Sequence, residues 1–217
     1  MKVPTLEDDS VSIVLLGAFN PKIFHPMWFA AHGLIRQSDA ESANIEVVHP
    51  EYAAFATESF RFSVSTDRFS VESAGSGFRE MMRDLVTGTF SLLGHTPLRT
   101  LGLNRIFHYR MESEDEWHTV GHKLTPKAVW RDTLKNPGME DLRIRAVRPD
   151  EHQGFIRVIV QPSMKVKPGV YVQVNDHYEV EAQEAAGAER IMDILKNIWQ
   201  VSLARAERVT HTMFANL

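Results

Sequence analysis

Histidine and asparagine side chains at two repeated positions are the first candidates for chemistry in this chain. The segment Leu-Gly-Ala-Phe-Asn-Pro-Lys-Ile-Phe-His ends at His25, and the similar segment Leu-Gly-Leu-Asn-Arg-Ile-Phe-His ends at His108. Their asparagines are Asn20 and Asn104, and an imidazole beside a carboxamide can bind a polar ligand and exchange protons near pH 7. The four residues are candidates for a small-molecule site where two halves of the protein meet. The alternative is that each asparagine only caps the turn after its strand.

The other histidines do not predict a metal site. His118 and His122 are four residues apart on a predicted helix, so both could face one ion. A metalloprotease helix also needs a glutamate directly after the first histidine, and Thr119 stands there. The chain has no cysteine, which excludes thiolate ligands and cysteine nucleophiles. There is no nucleophile elbow and no phosphate loop, so we predict no catalytic residue, no metal and no cofactor.

Carboxylates recur at two predicted hairpin tips. Asp67 and Asp176 occupy these tips, and Glu72 and Glu181 follow five residues later. Two carboxylates do acid–base work only where their surroundings move their pKa values apart. Hairpin tips are usually hydrated, so we expect these side chains to be solvated.

Basic residues alternate with apolar ones along the strands predicted in the second half. Such alternation places them on the solvent side of a sheet. A basic sheet face fits an acidic protein partner, phosphates or simply water. The candidates for this basic face are Arg143, Arg145, Arg157, Lys165 and Lys167.

The elements that carry these residues occur twice along the chain. Residues 66–72 and 175–181 match at a constant offset, and the amphipathic helices that follow them match at the same offset. A self-match over so long an offset indicates two copies of one supersecondary unit. We therefore predict an N-terminal repeat over residues 1–96 and a C-terminal repeat over residues 97–217, packed as one pseudo-twofold domain.

Each repeat has the predicted order β-α-β-β-β-α. In the first half the strands are 11–19, 44–48, 53–65 and 68–73, and the helices are 25–35 and 78–93. In the second half the strands are 98–111, 142–147, 155–161 and 169–181, with a helix that begins after Ser113 and a long one over 188–214. Residues 125–138 form an insertion.

This order predicts an α+β fold: one curved, mostly antiparallel sheet with the helices on one face. It resembles in topology the saddle of the TATA-box-binding fold, which also duplicates a strand–helix–strands–helix unit. The resemblance implies a fold and no function.

The bulk composition is that of a globular protein. Of the 217 residues, 43% are hydrophobic and 24% charged, which argues against global disorder. The net charge of -4 disfavours nucleic acid as the partner. There is no signal-peptide pattern and no apolar run long enough for a membrane span, so we expect a cytoplasmic protein of bacterial type that does not enter membranes.

Three functions follow from these patterns. The first is a non-enzymatic interaction or regulatory module that binds another protein, or a second copy of itself, through the open sheet face or the C-terminal helix. The second is a small-ligand binder or enzyme with its site between the repeats. The third is a nucleic-acid contact through the basic strands. The missing catalytic signature favours the first.

Overall fold

In a computed structural model, which describes residues 2–181 and 183–217, the chain is an α+β protein. Its described residues form one antiparallel sheet of nine strands and five α-helices. The strands are β1 Thr5–Gly17, β2 Asn44–His49, β3 Tyr52–Ala56, β4 Phe60–Ser65, β5 Arg68–Ser73, β6 Leu98–Arg110, β7 Leu142–Val147, β8 Gly154–Pro162 and β9 Gly169–Glu179. The helices are α1 Pro26–Ala31, α2 Gln37–Glu41, α3 Arg79–Leu92, α4 Glu114–Leu124 and α5 Glu189–Ala215.

The two longest strands form the centre of the sheet. The strand order is β2-β3-β4-β5-β1-β6-β9-β8-β7, and β1 pairs with β6 over almost its whole length. Strands β5 and β9 flank this central pair, which leaves β2 and β7 as the two edges. The same sheet therefore runs without a break through both halves of the chain.

Alternate residues of the central strands point to the helices and form the core. Ile13 and Leu15 of β1 and Leu101 and Leu103 of β6 are at most 3% exposed. Because side chains alternate across a strand, their neighbours in sequence point to the opposite face. We call that second face, which faces away from the helices and the hydrophobic core, the open face.

Aromatic contacts hold the helices on the core face. Phe29 of α1 packs on Phe55 and Phe62, with ring centroids 5.8 and 5.1 Å away. In α5, the indole of Trp199 is fully buried, and its N–H donates to the Glu80 carboxylate of α3 at 2.8 Å. These contacts stabilise short and long helices alike, because most helical stability comes from packing of an apolar face.

Helix α2, Gln37–Glu41, is absent from the sequence prediction, and two further elements differ from it. The single strand predicted over 53–65 is two strands, because residues 57–59 form a tight turn in which the Thr57 N–H donates to the Phe60 carbonyl. The first half consequently has one strand more than the second. Asp176, predicted at a hairpin tip, lies inside β9 and is 1% exposed.

The insertion after α4 is largely exposed. Residues 125–141 contain a 3-10 turn at Ala128–Trp130, and Val129 and Trp130 are 78% and 51% exposed. Helix α4 itself begins as the sequence predicts, since the Ser113 hydroxyl accepts from the Glu116 N–H at 3.2 Å. Among the described residues, no helix combines the length and the apolar character that crossing a bilayer requires.

Candidate functional site on the open sheet face

One row of directly opposed residues on the open face runs from one edge of the sheet to the other. Each of the nine strands contributes one residue, because neighbouring strands are paired throughout the sheet. In spatial order the row is Asn44, Ala56, Arg61, Glu72, Ser12, Asn104, Asn175, Arg157 and Arg145. All but Ala56 are polar, and we call this set the polar row.

Carboxamides joined by hydrogen bonds form the middle of the polar row. The Asn104 side-chain oxygen accepts from Asn175 at 2.7 Å and from Gln173 at 2.8 Å, and its amide donates to Ser12 at 3.2 Å. Gly102 lies beside this group on β6, and a Cβ there would come within 3.1 Å of the Asn175 amide. The network locks the side-chain rotamers, so the middle of the row is preorganised.

At the β7 side, the polar row ends in two arginines that contact one aromatic ring. The guanidinium carbons of Arg145 and Arg157 lie 4.0 and 5.0 Å from the centre of the Phe155 ring. His177 stacks on the same ring at 4.3 Å. We call these four residues the arginine end. Within residues 2–181 and 183–217, neither arginine has a carboxylate at ion-pair distance.

Burial and the two arginines keep His177 neutral near pH 7. Burial lowers the pKa of His177, and the positive charges of Arg157 and Arg145 lower it further, whereas nearby Glu179 acts in the opposite direction. A neutral imidazole adds no third positive charge to the arginine end. Its stacking on Phe155 instead supports the ring on which the guanidinium groups rest.

At the β2 side, the charges of the polar row are balanced. Arg61 forms an ion pair with Glu46 at 2.9 Å. Glu72 accepts a hydrogen bond from the Ser10 hydroxyl at 3.3 Å. The two sides of the open face thus differ: Arg61 is paired with Glu46, whereas the adjacent arginines of the arginine end have no carboxylate at ion-pair distance among the described residues.

The sequence-predicted pair Asn20 and His25 lies away from the polar row. The Asn20 side chain accepts from the Lys22 N–H at 3.3 Å, and the His25 ring accepts from the Met27 N–H at 3.2 Å. Both therefore cap the first turns of short helices that follow β1. Their local geometry is thus that of turn caps, which is the alternative to a ligand site.

The second pair, Asn104 and His108, lies inside β6 and not after it. The sequence echo suggested that the two pairs hold equivalent positions, and the structure corrects this: β6 continues to Arg110, whereas β1 has ended at Gly17. Gly17 lies beside Leu98, so roughly 30 Å of extended strand separates that end of β6 from His108. The four residues do not converge on one place.

His108 is held under the loop that joins β8 to β9. Its Nδ1 lies 2.8 Å from the Ser163 hydroxyl, and both side chains are at most 5% exposed. The Ser163 oxygen also accepts from the N–H groups of Lys165 and Val166, so its own proton points to the imidazole. Burial and then Lys165 lower the pKa of His108, against the opposite effect of Asp8. This serine caps a buried turn and does not face a substrate.

Three of the five predicted basic residues lie on the open face. Arg143, Arg145 and Arg157 are on β7 and β8, and Arg143 forms an ion pair with Asp141 at 2.8 Å. Lys165 and Lys167 were predicted with them, but both lie in the loop before β9. The turn capped by Ser163 takes these residues out of the strands, although Val166 is buried and Lys165 and Lys167 are exposed as alternation predicts.

The sequence prediction missed two ionic clusters on the core face. In one, Asp176 pairs with Arg148 and Arg205, and both arginines also bind Asp150 at 2.7 and 3.0 Å. In the other, Asp9 of β1 pairs with Arg105 of β6 and with Arg79 of α3. The sequence signal that could have revealed these clusters is a charged residue at a position of an apolar strand that points inward.

A cavity lies between α4 and the insertion. Its volume is about 1140 Å³, and its lining includes His118, His122, Lys127 and Leu134. The rings of His118 and His122 are 6.3 Å apart. In the part of the chain that the structure describes, no cluster of three or more histidine, aspartate or glutamate side chains is placed to hold a metal ion.

The open face therefore combines fixed hydrogen-bonding groups with the arginine end, whose two guanidinium groups have no carboxylate at ion-pair distance among the described residues. Rigid strands position these groups, and the Ser12 hydroxyl lies among them. Comparison with known proteins adds no name to this description: no protein-family model matches the chain, and no curated protein matches it.

Proposed function

We propose that this protein is a non-enzymatic binding module that holds an acidic segment of a partner protein on its open sheet face. The observation that supports this function most is the arginine end, where Arg145 and Arg157 rest on Phe155 without carboxylate partners among the described residues. Charged groups placed in this way steer a partner and fix its orientation.

The C-terminal helix is the less favourable surface. Ten residues of α5 are buried, so its apolar side is already committed to the sheet. Its exposed side mixes both signs of charge, as at Asp193 and Lys196. We therefore assign the partner to the open face.

Nucleic acid fits the open face less well. Bound single strands usually stack their bases on exposed aromatic rings. Phe155 is only 9% exposed and already contacts Arg145 and His177. A steep loss of affinity with salt would nonetheless support the nucleic-acid alternative.

A small-ligand site between the halves remains the other candidate. Ser12 and Asn104 face each other across the central strand pair and could contribute to it. Asn20 and His25 would have no part in such a site, because they cap turns beyond β1. Binding of a small molecule abolished by Asn104→Ala but not by Asn20→Ala would favour this candidate.

We also infer that the two halves arose by duplication. Each begins with a central strand and ends with a helix, and β5 and β4 flank β1 as β9 and β8 flank β6. This order supports a similarity to the TATA-box-binding saddle. Superposing residues 5–92 on 98–215 in an experimental structure tests the inference. Failure to align β1, β4 and β5 with β6, β8 and β9 would contradict it.

The proposed function is tested with charge-reversal pairs in the full chain. Fluorescence anisotropy would compare a labelled glutamate-rich peptide with a single-stranded oligonucleotide of equal charge. We expect the peptide to bind better, and Arg145→Glu with Arg157→Glu to weaken it more than tenfold. The matched control is Lys196→Glu with Arg208→Glu, two exposed residues of α5, which should change affinity less than twofold.

Two results would contradict the proposal. Equal losses in both double variants would mean that the peptide responds only to net charge. Stronger binding of the oligonucleotide, with a steep salt dependence, would assign the open face to nucleic acid.

A further inference from the structure

The two edges of the sheet are built differently. In β7, six consecutive residues pair with β8 without a register shift, so its outer edge is a regular row of backbone groups. The pairing of β2 with β3 is interrupted by a shift between Ile45 and Val47, and such a bulge twists an edge away from further pairing. The regular edge, β7, is the one that another strand could extend.

No part of the described chain covers β7. Every residue of the strand except Leu142 is exposed, with Ile144 at 50% and Val147 at 89%. In the strand order β7 has only β8 as a neighbour. The N–H and C=O groups that point away from β8 are consequently available to an extended segment.

The side chains of β7 define what that segment should carry. Arg143 and Arg145 point to the open face, whereas Leu142 and Ile144 point to the helix side. Residues directly opposite on adjacent strands share a face and interact. An incoming strand that alternates acidic and apolar residues would place carboxylates beside the arginines and apolar groups beside Ile144.

A second copy of β7 is a poor occupant. Strands related by a two-fold axis pair antiparallel, and residues opposite each other must share a face. The registers with the longest overlap, centred on residue 144 or 145, each place an arginine of one copy directly opposite an arginine of the other. Like charges directly opposite are destabilising, so the edge disfavours self-pairing and favours an acidic strand.

We propose that β7 accepts an extended partner segment with alternating acidic and apolar residues as a tenth strand of the sheet. This inference rests on the proposed function and adds the binding mode and the sequence pattern of the partner. Main-chain hydrogen bonds to β7 would supply affinity, and the arginine end would select the acidic residues.

The probes are labelled nine-residue peptides added to the full-length protein. One peptide alternates valine and glutamate, a second has the same composition in two blocks, and a third is the alternating peptide with N-methyl groups on every second residue. We expect the alternating peptide to bind at least tenfold tighter than either control. N-methylation removes donors from the strand without changing its charge.

Hydrogen–deuterium exchange locates the bound peptide. We expect slower exchange at the outward amides of residues 142–147 and unchanged exchange at residues 44–49 on the other edge. Equal binding of the alternating and block peptides would overturn strand addition. Another result would overturn strand addition alone: the peptide binds, Arg145→Glu with Arg157→Glu abolishes this binding, and exchange in β7 does not change. The proposed function would then stand. No binding of any peptide would overturn both.

Discussion

Two polar regions of this protein lie on opposite faces of the same strands and balance their charges differently. In β9, Asn175 and His177 face the open side, and Asp176 between them faces the helices. Asp176 is 1% exposed and paired with two arginines, whereas Arg145 and Arg157 have no carboxylate partner in the described chain. Burial explains the difference, because a buried charge is tolerated only when it is paired. Only on the hydrated open face can a charged side chain stay unpaired within the chain and so be available to a partner.

The largest effect is expected from breaking the buried cluster. Asp176→Ala would leave Arg148 and Arg205 without their central carboxylate, in a place where Arg148 also lies 3.6 Å above the Tyr178 ring. Removing one partner of a buried ion pair costs about 3–5 kcal/mol. We expect urea unfolding to show a loss of this size. If Asp176→Ala does not fold, Asp176→Asn should give a smaller loss of unfolding free energy that can be measured. Wild-type stability of both variants would contradict a structural role of Asp176.

A smaller effect is expected in the middle of the polar row. Asn104→Ala removes the shared acceptor of Asn175 and Gln173 and leaves both amides without that partner. Leaving a buried donor unsatisfied costs about 1–3 kcal/mol. The midpoint of chemical unfolding should fall accordingly, and Asn20→Ala, at an exposed cap, should cost less. A larger loss in Asn20→Ala would reverse the ranking of these two positions.

The two regions should respond to acid in different pH windows. Burial would raise the pKa of Asp150, but hydrogen bonds from Arg148 and Arg205 lower it to about 2, below the ordinary 3.8. Its stabilising contribution is thus complete above pH 4 and lost as the pH falls towards 2. Burial lowers the pKa of His108 and His177, so their unfavourable protonation weakens the fold just below pH 6.5.

Unfolding measured from pH 7 to pH 2 checks both windows. Asp150→Asn should flatten the stability curve below pH 4 and leave its upper part unchanged. His108→Gln should make the curve less steep just below pH 6.5, where His177 still contributes, and should leave the loss below pH 4 unchanged. A variant that flattens the other window would show that the assignment of the groups is wrong.

The smallest effect is expected at the exposed pair on β7. Arg143 and Asp141 are joined at 2.8 Å, but the arginine side chain is 64% exposed. Surface ion pairs contribute about 0–1 kcal/mol, so Arg143→Gln should change the unfolding free energy by less than about 0.5 kcal/mol. A loss comparable to that of Asp176→Ala would remove the distinction between the two faces.

Local patterns in the sequence were sufficient for most elements of the fold. Alternation in β1, β6 and β9 and the apolar stripe of α5 predict these elements, because each period must present one face to the core. The α+β class and the antiparallel pairing follow from the short links between strands. The turn at residues 57–59 escaped because Thr57-Glu58-Ser59 carries no glycine or proline to mark it.

Only the tertiary structure decided which polar residues meet. Ser12, Asn104, Asn175 and Arg157 come from four segments of the chain, and the register between strands brings them into one row. The amino-acid sequence alone determined the faces on which these side chains lie, since alternation is a local property of a strand. Register depends on contacts between distant segments, so the polar row could not be predicted before the sheet was assembled, whereas alternation along β9 already placed Asp176 on its inward face.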